Sequence, residues 1–162
     1  LIRIVLSAEG KPAGIEDIRA YQRDQLGREG GCDCILELLP LPSPGLNRWE
    51  FYPELADPHH PRVDYLRNRR TYTHYVAPGR AAHLRERVLQ YRPHAVIFYG
   101  TGYEQWWHRI AGVDFVQSET QRVRTARNEH TRFVIMQHPT AHGLSHFYFE
   151  AVGRLIGGML LP

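Results

Sequence analysis

Lysine is almost missing from this chain: 20 residues are basic, and Lys11 is the only lysine among them. Cysteine is scarce as well, with two in 162 residues, and Cys32 and Cys34 stand one residue apart. That spacing strains a disulfide and leaves a metal centre two ligands short, so free buried thiols in a reducing cytoplasm are expected instead. An iron–sulfur cluster, which takes four cysteines, is excluded on the same count. No run of 18 apolar residues exists, so no segment reads as a membrane-spanning helix. A charged leader followed by an apolar stretch and a small-residue cleavage site is also lacking. The expectation is a soluble, cytoplasmic, monomeric protein with no membrane partner, and Leu1 in place of methionine suggests a trimmed or uncaptured N-terminus.

What is present suits one globular unit, residues 1–162. A hydrophobic share of 43% and a charged share of 23% are ordinary for a folded domain, and 14 Gly with 11 Pro mark many turns. At this length roughly two-thirds of the unfolded surface can be buried, enough for a core without staples. The net charge of +3 and pI near 9.0 are mildly basic. Arginine contacts phosphate in a bidentate manner, so its dominance fits a nucleic-acid footprint; a codon preference for arginine fits equally well.

Four short apolar runs read as strands: Ile2 to Leu6, Cys34 to Leu39, Ala95 to Tyr99 and Arg132 to Gln137. Continuous apolar runs of that length predict strands covered on both faces, hence a mainly parallel four-stranded sheet. Helical spacing predicts helices from Ile15 to Leu26, from about Pro78 to Tyr91, from Gly102 to Ile110 and from beyond His142 through Ile156. Their alternation predicts an α/β fold, a three-layer α/β/α sandwich. Residues 40–77, rich in proline and aromatics, are too long for a simple connector. Asp114 to Val116 reads as a short extra strand, and Gln121 to Asn128 as an exposed, arginine-bearing loop.

Ligands of open parallel sheets bind beyond the carboxyl ends of the strands. The most specific strand end here is His138-Pro139-Thr140-Ala141-His142-Gly143-Leu144-Ser145, between the last strand and the last helix. It resembles the second motif of the uracil-DNA glycosylase superfamily, a His-Pro-Ser-Pro type loop in the same position. Arg92-Pro93-His94 followed by Ala95 to Gly100 looks like the central strand of that superfamily, and Ile35 to Pro42 is similar to the strand that carries its base-reading asparagine. The resemblance implies that His138 acts on the base carbonyl beside the glycosidic nitrogen, where a donor stabilises the charge gathering on the leaving base. It also implies that Pro139, Thr140, Ala141, His142, Gly143 and Ser145 form a loop pressed against DNA, and that no cofactor or metal is needed.

At the slot of the water-activating motif stands Ser7-Ala8-Glu9-Gly10, so Glu9 is the candidate base. The asparagine slot holds Glu37, which when ionised can only accept hydrogen bonds and therefore suits a base that presents an N–H better than it suits uracil. Trp49, Tyr52 and Tyr99 are candidates to stack on a flipped base, and Arg67, Arg69, Arg70, Arg122, Arg124 and Arg127 to meet phosphates. The leading reading is a DNA-glycosylase-like enzyme with DNA as its partner. The alternative, motivated by Glu9 and Glu37, is a relative that binds nucleic acid or a nucleotide without cleaving it. A third reading takes His138, His142 and His146, at four-residue spacing, as a zinc site.

Overall fold

A computed structural model describes residues 1–42, 48–49, 55, 59–120 and 122–160. In chain order its elements are α1 (Ile2–Ala8), α2 (Ile15–Asp24), α3 (Pro61–Asp64), α4 (Arg69–Tyr91), β1 (Ala95–Tyr99), α5 (Glu104–Ala111), β2 (Val116–Gln117), β3 (Arg124–Arg127), β4 (Arg132–Met136) and α6 (His146–Leu160). Among the described residues no helix is long and apolar enough to cross a membrane.

The four strands form one sheet in the order β1-β4-β3-β2. β1 and β4 are parallel, in register from Ala95 opposite Arg132 to Tyr99 opposite Met136. The pairs β2–β3 and β3–β4 are antiparallel, so the sheet is mixed and the expected mainly parallel arrangement is corrected. The cause is local. Asn128 Oδ1 accepts the backbone N–H groups of His130 at 2.9 Å and Thr131 at 2.7 Å, which closes a tight turn between β3 and β4. Strands joined by so short a turn can pair only antiparallel. The segment expected as an exposed arginine loop is therefore largely strand: Val123 and Ala126 are buried, while Arg124 and Arg127 face solvent.

Alternation along the strands divides the core in two. Phe98, Phe133, Ile135 and Ala126 pack against α4 and α5, where Ala77, Ala81, Leu84, Trp106, Trp107 and Ile110 are buried. Val134, Met136 and Val123, with Ile97 and Tyr99 beside them, meet Ile4 of α1 and Val152 and Ile156 of α6.

Two of the four expected strands are not strands. Ile2 to Leu6 forms part of the α1 helix. Ile2, Ile4 and Leu6 alternate as a strand would, yet Ile2 and Leu6 also lie one helical turn apart and together meet Tyr21 of α2, while Ile4 meets α6. What selects the helix is the surface of α6: a Cβ on Gly153 would lie 2.5 Å from the Ile4 carbonyl oxygen, and one on Gly157 would lie 2.6 Å from that of Ala8. Two glycines thus let the two helix backbones approach closely. Cys34 to Leu39 forms no strand, its Leu38 side chain buried against α4 and α5 and its Glu37 carbonyl accepting from the Arg80 guanidinium at 2.7 Å. A side chain there satisfies the backbone in place of a neighbouring strand.

Helix α4 begins nine residues before the predicted start and carries Pro78 in its interior. Asn68 caps it, accepting from Thr71 N at 2.9 Å, and the ring of Tyr72, 2% exposed, anchors the added turns. Cys32 and Cys34 are free thiols as expected, but exposed rather than buried.

Candidate functional site

The parallel pair delivers two strand ends to one edge of the sheet. Gly100, just past β1, donates its N–H to Met136 O at 2.9 Å, which sets it level with the end of β4. Its φ of +92° is one that glycine adopts without strain, and the turn is held by the Trp107 indole N–H donating to Gly100 O at 2.8 Å. This turn leaves Tyr99 edge-on to His138, ring centroids 5.5 Å apart. The Tyr99 hydroxyl donates to Glu37 Oε1 at 3.1 Å. Glu37, Tyr99 and His138, expected from three separate segments, therefore meet in one cluster.

The His138 ring is exposed and its tautomer is set by the next turn of chain. Thr140 N donates to His138 Nδ1 at 3.3 Å, and Thr140 Oγ1 lies 2.8 Å from the same nitrogen. With Nδ1 accepting, the proton of the neutral ring sits on Nε2. Burial, and then the neighbouring Glu37 carboxylate, push the Tyr99 hydroxyl up to about 12, so it remains a donor to Glu37 throughout the neutral range.

That shift has a measurable sign. The folded value lies above the ordinary 10.0, so the stability contributed by protonated Tyr99 is complete below pH 10 and is lost as pH rises toward 12. Tyr21, raised by burial and by its hydrogen bond to Asp33, adds to the same alkaline loss. Urea midpoints measured between pH 9 and pH 12 should fall for the wild type and fall less steeply for Tyr99→Phe. Equal slopes for the two proteins would refute the assignment to Tyr99.

Comparison with protein-family models, curated proteins and solved structures finds no match. The site is therefore read from its own residues.

Glu9 does not join the cluster. It caps the end of α1, paired with Lys11 Nζ at 2.7 Å. Helix α6 leaves the His138 loop and runs down to Met159, whose carbonyl accepts from Arg132 Nε at the start of β4. Because Ile4 lies against Gly153 and Ala8 against Gly157, α1 descends in the same direction. Glu9 emerges at the end of the sheet opposite His138.

Trp49 also lies apart from the cluster, at the start of α4: its indole donates to Leu66 O at 2.6 Å and its ring centroid is 4.9 Å from that of Tyr72. Tyr52 lies outside the described residues. The loop Pro139 to Ser145 leads from His138 into α6 by a turn in which Ala141 N donates to His138 O at 2.8 Å; Thr140, His142, Gly143 and Ser145 are exposed, and Pro139 and Ala141 partly so. Phe147, one residue into α6, is 65% exposed. His138, His142 and His146 do not come together: among the described residues no group of three His, Cys, Asp or Glu is placed to hold a metal ion.

Sequence reasoning passed over Tyr148. Its hydroxyl accepts from Gln137 N and donates to Arg122 O, both at 3.4 Å, bracing the base of the loop. The clue was its position in the first turn of the helix that the loop enters. Of the arginines expected to meet phosphate, Arg67 pairs with Asp64 and Arg124 with Glu104, whereas Arg69 and Arg70 line a groove at the start of α4.

Proposed function

We propose that the protein binds DNA and hydrolyses the N-glycosidic bond of an extruded, modified base, in the manner of the uracil-DNA glycosylases that its His138 loop resembles. The observation that carries the reading is the placement of His138: Nδ1 is held by Thr140, which leaves Nε2 as the ring's free edge, beside Tyr99, at the paired ends of two parallel strands. As the C1′–N bond breaks, its electron pair leaves with the base and negative charge gathers on the base's carbonyl oxygen. A preorganised N–H donor at that oxygen lowers the barrier. Water then bonds to C1′ through its oxygen, and the proton it loses passes through solvent to the departing base, which is released neutral. The Glu37 carboxylate accepts from the N–H edge of the base, its geometry held by Tyr99.

The experiment is incubation with duplexes carrying uracil, hypoxanthine, xanthine or an alkylated base, followed by alkaline scission at abasic sites. Excision is expected for a base that offers Glu37 an N–H and His138 a carbonyl. A second reading, nucleic-acid binding without excision, is favoured by the distance of Glu9 from the cluster, which removes the carboxylate expected to activate water. Salt-sensitive binding with no abasic product from any of the four duplexes would select it.

A further inference from the structure

Beside the strand-end cluster, a groove of about 650 Å³ opens at the start of α4, lined by Trp49, Arg69, Arg70, His74, Tyr103 and Trp106 among others. Tyr103 follows Tyr99 by four residues and accepts from Arg69 at the start of α4, so the groove lies at the same end of the sheet as His138. Among the described residues lining it, none is acidic. Its size is within the range of small-ligand clefts, roughly 300–1,000 Å³.

Two donors in it are unsatisfied. Arg69 gives one guanidinium nitrogen, Nη2, to the Tyr103 hydroxyl at 2.8 Å, while the other, Nη1, is shielded from solvent and has no hydrogen-bond partner. Trp106, 7% exposed, likewise has an indole N–H without a partner. A shielded donor left unmade is costly, and a charged one more so, which makes an acceptor the fitting occupant. The helix start points the same way. Asp and Glu are the residues favoured in a helix's first turn, yet α4 has none there and opens on Arg69 and Arg70. The aromatic walls, with the Arg69 guanidinium 6.0 Å from the Trp49 ring centre, suit a ligand that couples negative charge to a flat ring.

We infer that this groove is a phosphate site for a single nucleic-acid strand, the Arg69 and Arg70 guanidinium groups meeting the backbone while Tyr103 or Trp49 meets an adjoining base. The inference rests on the proposed function for the identity of the ligand and adds to it the place where the strand is held.

The test is fluorescence titration of the full chain with a fluorescein-labelled ten-nucleotide single-stranded DNA across a salt series, run beside the excision assay. Arg69→Gln with Arg70→Gln is expected to weaken binding at least tenfold and to reduce the salt slope by roughly 1.4, the loss of two single-strand phosphate contacts. Arg70→Glu alone, at an exposed first-turn position that bears no structural hydrogen bond, should weaken binding without lowering the melting temperature, so the result survives if the double variant folds poorly. Wild-type affinity and slope in Arg70→Glu and in the double variant would overturn the groove while leaving the excision reading intact. Groove-dependent binding with no excision would do the reverse, and no binding by the wild-type protein would overturn both.

Discussion

His138→Ala is expected to lower base excision by roughly 10²–10³-fold, the usual cost of removing one preorganised donor at a developing anion. The drop should fall on the single-turnover rate and leave DNA affinity nearly unchanged, because the bond strengthens only as charge reaches the base oxygen. His138→Gln keeps an N–H donor and should recover part of the rate. Thr140→Val removes the hydroxyl beside Nδ1 but leaves the Thr140 backbone N–H in place, so its effect should be smaller than that of the alanine variant at 138. A His138→Ala protein that excises at the wild-type rate would exclude the imidazole from the chemistry.

Gly153→Val should destabilise the fold by about 3 kcal/mol or more, at the upper end of what overpacking costs. The added Cβ would begin 2.5 Å from the Ile4 carbonyl oxygen and from Ser7 Cβ, and a backbone atom of a docked helix cannot swing aside. Relief requires α1 to lift from α6, which uncovers Ile4, Val152 and Ile156 together. Gly158 supplies the control. It is exposed in the same helix with nothing within 4 Å of its would-be Cβ, so Gly158→Ala should stabilise by about 0.5–1 kcal/mol. Chemical unfolding of both variants reads the contrast. Similar midpoints for the two would show that α1 does not dock through Gly153.

The strands that sequence reasoning placed correctly, β1 and β4, are those whose apolar runs are bracketed by breakers, Pro93 with Gly100 on one and Pro139 on the other. Their side chains pack on both faces of the sheet, those of β4 mostly buried and those of β1 mostly half-buried, so composition alone marks them. Ile2 to Leu6 satisfies two periods at once, and five residues are too few to separate them. β3 was hidden by its arginines: in a strand they can all face water while only Val123 and Ala126 turn inward, and a count of charges does not see that division.

The candidate site followed the same rule. Tyr99 and His138 were legible because each stands at or beside the end of an apolar run that pairs in parallel, whereas Glu37 was picked from a run that is no strand and reaches Tyr99 only through tertiary packing. Glu9 was placed by the expectation that α1 was a strand, and it moved to the far end once that segment became a helix running beside α6.

Sequence by itself determined an α/β chain, the positions of β1, β4 and the closing helix, and the histidine loop between the last two, because breakers and apolar runs act over a few residues and need no distant partner. The direction of strand pairing, the helical state of residues 2–8, the approach of Glu37 to Tyr99 and the unpaired Arg69 nitrogen were decided by tertiary structure alone. Each depends on contacts between residues far apart in the chain, and such contacts form only when the whole core closes.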